Sequence, residues 1–210
     1  CSEHAHSSVD KGAIALGLGH ENVVKIGADA EYRMRPDLLR AAITEDRAHG
    51  YLPLACVATV GTTSSTSIDP VREVAATCAR ESVWLHVDAA YAGVSAVVPE
   101  LRGLQDGVEW ADSYTTDAHK WLNVPYDSGY AFCAHPDAHA ASMAYTAAYL
   151  TGQGQGGPRA PGDFVTESSR RSRRAGDPAA PLSATRWPTV IAPTGAWSSG
   201  MPNASRRLSR

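Results

Sequence analysis

The sequence predicts an α/β fold, a mostly parallel sheet flanked by helices, and three observations predict it. Leu52-Pro53-Leu54-Ala55-Cys56-Val57-Ala58-Thr59-Val60 is a continuous apolar run that stops at Gly61-Thr62-Thr63, the pattern of a parallel strand buried on both faces. Val83-Trp84-Leu85-His86-Val87 ends in Asp88 and opens into Ala89-Ala90-Tyr91-Ala92-Gly93. This reads as a second buried strand that delivers one acid to its carboxyl end, where open α/β sheets place ligands. Between the two, Asp69-Pro70 starts a helix through Val71, Val74, Ala75 and Cys78, so the stretch is a strand, a crossover helix and a strand, a right-handed βαβ unit.

The remaining elements follow in order. Val9, Ala13 and Leu16 keep helical spacing after Ala5-His6-Ser7-Ser8, with Ser8 placed to cap the first turn. Val23-Val24-Lys25-Ile26 reads as a short strand, and Arg35-Pro36-Asp37 opens a helix with Leu38, Leu39, Ala42 and Ile43 on one face. Residues 100–107 form a polar connection that leads through Val108 to Asp112 into a β-leaning segment, Ser113-Tyr114-Thr115-Thr116. Asp117-Ala118-His119-Lys120-Trp121 follows as a short loop, residues 123–129 are a turn, and residues 130–134 a further strand. Residues 138–150 permit a helix carrying Tyr145 and Tyr149. From Thr151 a glycine-rich loop begins, and beyond Arg174 neither a helical nor an alternating period survives.

Composition narrows the function classes. With 210 residues, 43% of them hydrophobic, the chain has the means to bury a core. A net charge of -3 gives no basic footprint for nucleic acid. Cys1, Cys56, Cys78 and Cys133 contain no C-x-x-C pair, which argues against a zinc cluster or a secreted disulfide framework and for reduced thiols in a cytoplasm. No run of eighteen apolar residues occurs and no export signal stands at the start, so a soluble protein without a membrane segment is expected. A start at Cys1 rather than Met implies residues upstream.

Two side chains carry the chemistry. A lysine beside the Trp121 indole could be a desolvated amine, the form that makes a Schiff base with an aldehyde, so Lys120 is the candidate nucleophile. Asp88 is a lone acid at a strand end. Pyridoxal phosphate uses both: a lysine holds it, and a carboxylate keeps its ring nitrogen protonated so that it can act as an electron sink. A metallohydrolase is the competing reading, with His4, His6, His86, Asp88 and His119 as ligands, but it leaves Lys120 without a task.

His86-Val87-Asp88-Ala89-Ala90-Tyr91-Ala92-Gly93, Asp117-Ala118-His119-Lys120-Trp121-Leu122-Asn123-Val124-Pro125-Tyr126-Asp127, Ala5-His6-Ser7-Ser8 and Gly61-Thr62-Thr63 together resemble the group II pyridoxal-phosphate-dependent amino acid decarboxylases. The match runs from about Ser2 to Arg173, in the family's order. The resemblance implies a partial large domain of a fold-type-I pyridoxal-phosphate-dependent transferase over residues 1–150, an active-site loop region over 151–173 and a non-native or disordered tail over 174–210. Within it, Lys120, His6 and Asp88 would be catalytic. Ala90 would face the ring opposite His6, Thr63 would bond near the ring, and His119 would contact the phosphate or the surroundings of the lysine; Asp117 falls where relatives place a polar residue near the phosphate, which a carboxylate would repel unless it only receives backbone N–H bonds. Thr62, Ser64 and Ser65 are read as an ordinary turn. The implied activity converts an L-amino acid into its amine and carbon dioxide in a cytoplasmic homodimer. An aminotransferase or another enzyme of the same fold type, or an inactive remnant, stays open. Relatives present a tyrosine in the active-site loop, whereas this chain has no Tyr after Tyr149. A shift of reading frame near Arg173 would account for the tail, and a genuine basic interaction tail is the rival reading.

Overall fold

The computed structural model of the chain describes residues 1–143 and 189–192. Ser8–Ala15 forms α1. Its cap is Ser7, without a side-chain capping bond, while Ser8 lies inside the helix and its hydroxyl meets His6 Nδ1 at 2.9 Å. The expected capping role of Ser8 is therefore corrected: the imidazole two residues back holds its hydroxyl. The strand expected at residues 23–26 reduces to a single bridge between Ser2 and Ile26, because of this segment only Ile26 is buried. Pro36–Ala48 forms α2 with Pro36 in the first turn, where a missing N–H costs nothing. Leu39 and Ile43, one turn apart, are its buried positions.

Pairing of the apolar run begins at Ala55, so β1 is Ala55–Thr59. The helix α3, Val71–Glu81, ends on Ser82 in the left-handed conformation and returns the chain to β2, Trp84–Asp88. The two strands are parallel and in register from Ala55 with Trp84 to Thr59 with Asp88. Three 3-10 turns, Gly93–Val97, Pro99–Gln105 and Val108–Trp110, build the connection read as merely polar. The strand β3, Ser113–Asp117, pairs parallel to β2, and Ala118–Trp121 then forms one helical turn, α4, where a loop was expected. Next come β4, Gly129–Cys133, antiparallel to β3, the helix α5, Pro136–Met143, and β5, Thr189–Ala192, antiparallel to β4. The spatial order is β1-β2-β3-β4-β5. Since β4 alone opposes the others, the sheet is mostly parallel, as the sequence predicts. Tyr145, Tyr149, the loop at 151–173 and the rest of the tail lie outside the described residues.

The period of two along each strand divides the sheet into two faces. Cys56, Ala58 and Val60 of the β1 segment and Leu85 and Val87 of β2 enter one core with Leu39, Ile43, Val71, Val74 and Cys78 from the helices. Val57, Thr59, His86 and Asp88 alternate with them and line a cavity. Asp69 ties the pieces together. Its carboxylate accepts the Met34 N–H at 2.7 Å and the Thr59 N–H at 2.8 Å. It thus clamps a loop to the end of β1 and does not cap α3, whose cap position is Pro70. Burial pushes its carboxyl above the usual range, against the pull of those two N–H groups. Among the described residues, no helix is long and apolar enough to cross a membrane.

Candidate active site

Asp88 ends β2, and its Oδ1 accepts the Ala90 N–H at 3.1 Å. A carboxylate bonded two residues onward stabilises the turn that begins there. Gly61 lies across the gap with φ +89, and a Cβ on it would come within 2.8 Å of Ala92 Cβ. Only glycine lets the end of β1 pass so close to the turn that carries Ala90.

His86 stands two residues before Asp88, on the same face of the strand. The Trp84 indole N–H donates to Ser113 Oγ at 2.8 Å, and Ser113 Oγ lies 2.8 Å from His86 Nδ1. The indole donates, so Ser113 Oγ accepts from Trp84 and also shares a hydrogen bond with His86 Nδ1, while Nε2 lies 3.4 Å from Thr115 Oγ1. Burial pulls the imidazole below its usual pKa, while the nearby Asp88 carboxylate pulls it back up. His86 is a neutral, anchored neighbour of Asp88.

Lys120 belongs to α4, directly after β3. Because β3 pairs with β2, with Asp88 opposite Thr115, the acid and the amine emerge at neighbouring strand ends. Lys120 Nζ lies 3.1 Å from Asp117 Oδ2, and His119 Nε2 lies 3.5 Å from the same oxygen. His119 Nδ1 accepts the Ser128 N–H at 2.9 Å, which leaves Nε2 as the donor facing Asp117. The Asp117 carboxylate thus gathers both neighbouring cations or donors. The expectation that Trp121 desolvates the amine is corrected. Consecutive residues of a helical turn do not face each other, and the Trp121 ring packs edge-on against Tyr91 at 5.3 Å. The Lys120 side chain is 38% exposed.

His6 accepts the Ser8 N–H on Nδ1 at 3.2 Å. His6, Thr63, Asp88, Ala90, His119 and Lys120 all line one cavity of about 770 Å³. The residues the sequence singled out for pyridoxal phosphate thus share one cavity, and His4, offered as a metal ligand, is not part of its lining. Thr62 does not join them: its hydroxyl is bound to Ser65 Oγ at 2.7 Å and Ser67 Oγ at 2.9 Å, a turn as expected. Among the described residues, no three His, Cys, Asp or Glu side chains are placed to hold a metal ion. The donor set fits pyridoxal phosphate instead: a carboxylate, an amine and an imidazole face a cavity that also contains an unpartnered buried hydroxyl, Thr59 Oγ1.

Sequence reasoning missed three contributors. Thr59 was hidden at the end of an apolar run, although its place opposite Asp88 follows from aligning the two strand ends. His86 could have been found from its i, i+2 spacing to Asp88. Gln105 left no signal. Its buried amide accepts the Tyr114 hydroxyl at 2.8 Å and donates to Gly93 O at 2.7 Å, which pins the segment following Ala90.

Comparison with known proteins adds the last observation. The model of the pyridoxal-dependent decarboxylase conserved domain matches residues 1–175. Aromatic-L-amino-acid decarboxylase of Rattus norvegicus is 45% identical over 126 residues, 60% of this chain and 26% of that protein. Tyrosine decarboxylase 2 of Arabidopsis thaliana is 43% identical over 123 residues, 58% of this chain and 23% of that protein. The crystal structure of Oryza sativa TDC with PLP and tryptamine superposes with a TM-score of 0.68 at 34% identity, covering 73% of this chain and 33% of that one. The chain spans about a quarter of the length of the curated relatives it matches.

Proposed function

Since the chain belongs to the pyridoxal-dependent decarboxylase family, we propose that its cavity is the cofactor site of an enzyme that removes carbon dioxide from an L-amino acid and leaves the amine. The observation that supports this reading is that Asp88, at the end of β2, and Lys120, in the turn after the adjacent parallel strand β3, line the same cavity. Bound pyridoxal phosphate supplies a sink for the electron pair left on Cα when carbon dioxide departs.

The chain's own residues would do the rest. Lys120 offers the amine that holds the cofactor, and to do so its Nζ leaves the contact with Asp117. Asp88 keeps a proton on the pyridine nitrogen, and its attachment to the Ala90 N–H fixes the direction of that carboxylate. His6 and Ala90, which both line the cavity, would hold the ring between them. His119 and Thr63 complete the polar edge, with His119 oriented by the Ser128 N–H. The substrate class stays at L-amino acids, because relatives named for aromatic amino acids, tyrosine and histidine match over the same share of the chain. The working form is a homodimer of the whole protein, in the cytoplasm.

The test is to add pyridoxal phosphate to the purified protein, reduce with borohydride and map the labelled peptide. Label on Lys120 supports the reading, and label elsewhere removes it. Release of carbon dioxide without formation of a keto acid then separates decarboxylation from transamination.

A further inference from the structure

Among the described residues that line the cavity, two buried side-chain atoms have no hydrogen-bond partner, His139 Nε2 on α5 and Thr59 Oγ1 at the end of β1, beside Asp88. Thr59 is 3% exposed, and its Oγ1 has no hydrogen-bond partner. Buried hydroxyls are nearly always bonded, so an orphan that lines a cavity marks a contact still to be made. Its backbone is not free to escape: the Thr59 N–H is held by the buried Asp69 carboxylate at 2.8 Å. What remains is rotation about χ1, which swings the hydroxyl among staggered positions.

The polar side chain nearest in the register is Asp88, the direct partner of Thr59 across β1 and β2. Neighbouring strands lie about 4.8 Å apart, and paired residues project to the same face. Of the lone pairs on the Asp88 carboxylate, the Ala90 N–H takes one. His86, the other neighbour on this face, already spends Nδ1 on Ser113 and directs Nε2 to Thr115. Thr116 Oγ1 is also unpartnered, but it abuts Gly93 and does not line the cavity.

We propose that Thr59 is a positioning residue for Asp88, its hydroxyl donating to the Asp88 carboxylate once a protonated pyridine ring occupies the cavity. The inference rests on the cofactor reading above. In the structure the Ala90 N–H holds Asp88 Oδ1, and a donor on Oδ2 would hold the second oxygen as well. With a ring bound in the cavity, the Thr59 hydroxyl would be that second donor and would keep the carboxylate turned toward the ring nitrogen. The Thr59 hydroxyl thus adds to cofactor affinity while making no hydrogen bond in the ligand-free fold.

The test compares Thr59→Val, which keeps the shape and removes the hydroxyl, with Thr59→Ser, which keeps the hydroxyl. Thermal unfolding is measured without cofactor, and pyridoxal phosphate affinity is measured by absorbance titration of the full chain. Without cofactor, the valine variant is expected to melt no lower than wild type, since removing an unsatisfied polar group is neutral or stabilising. With cofactor, its dissociation constant should rise about tenfold, the worth of a hydrogen bond to a charged group, and the serine variant should bind like wild type. Equal affinity of the valine variant and wild type overturns the inference alone, provided wild type is still labelled on Lys120. Loss of affinity in the serine variant as well, or a lower melting point of the valine variant without cofactor, overturns it too. A wild-type protein that takes no label on Lys120 overturns the cofactor reading and this inference together.

Discussion

The two faces of the same strands differ in kind. On one, Leu85 and Val87 of β2 meet Cys56 and Ala58 of β1 and the helices α2 and α3 in an apolar core. On the other, His86 and Asp88 alternate with them beside Val57 and Thr59, and the space above is open enough to hold a ligand. The core face gains its stability from area removed from water. The cavity face leaves a buried hydroxyl unsatisfied and a lysine half in solvent, a cost in stability that is typical where a ligand completes the arrangement. A residue's position in the period of two, odd or even, therefore decides whether its loss should hurt folding or chemistry.

Substitutions on the two faces should separate these effects. The largest is expected for Lys120→Ala, which should abolish the absorbance band of lysine-bound pyridoxal phosphate. A band that persists would take Lys120 out of its role. Asp88→Asn should keep cofactor binding and lower kcat by orders of magnitude, about 10²-fold or more, because an amide does not hold the ring nitrogen protonated. Near-normal turnover would break the assignment of the cavity face to chemistry. On the opposite face Leu85→Ala should cost about 2–5 kcal/mol in urea unfolding. If the variant folds, its borohydride label should still map to Lys120.

Asp69 lies at the boundary between the faces and should give a smaller effect with its own pH signature. Asp69→Asn leaves one of the two backbone donors facing an NH₂ group, and should cost about 1–3 kcal/mol. Burial raises the folded-state pKa of Asp69 above its unfolded value. The stability this raised pKa confers is present below the unfolded pKa of about 3.9 and is lost as pH rises through the folded value. The gap between wild type and the asparagine variant should therefore narrow as the pH of the unfolding experiment increases from about 4. A gap that widens would mean that the two N–H bonds outweigh desolvation. The smallest effect is expected for the solvent-screened Arg72 cluster with Asp106 and Glu109: Arg72→Gln should leave the midpoint of urea unfolding almost unchanged, and a clear drop would show that the cluster matters to the fold.

How legible the molecule was depends on the range of the interaction involved. The βαβ unit could be read because apolar runs and a helical stripe are local patterns, and Pro36 and Pro70 mark helix starts from sequence alone. The strand expected near Val23 failed because a strand extends only as far as its partner: Cys1 and Glu3 bond Val24 and Ile26, and this closes no more than the bridge between Ser2 and Ile26. The Lys120 environment was misjudged for a related reason. Adjacency in sequence placed the indole beside the amine, but the helical turn sends Trp121 to Tyr91 and leaves Lys120 to Asp117.

By itself the sequence determined the fold class, the strand ends that bear Asp88 and Lys120, and the family, since each is written in short runs of residue type. Only the tertiary structure decided that Asp69 clamps two segments, that Ser113 anchors His86, and that Thr59 faces Asp88 with its hydroxyl unmet. The physical reason is that a hydrogen bond depends on where two atoms end up within about 3 Å of each other. Residues 10 to 35 positions apart acquire that proximity only when strands pair and the helices close over one side of the sheet.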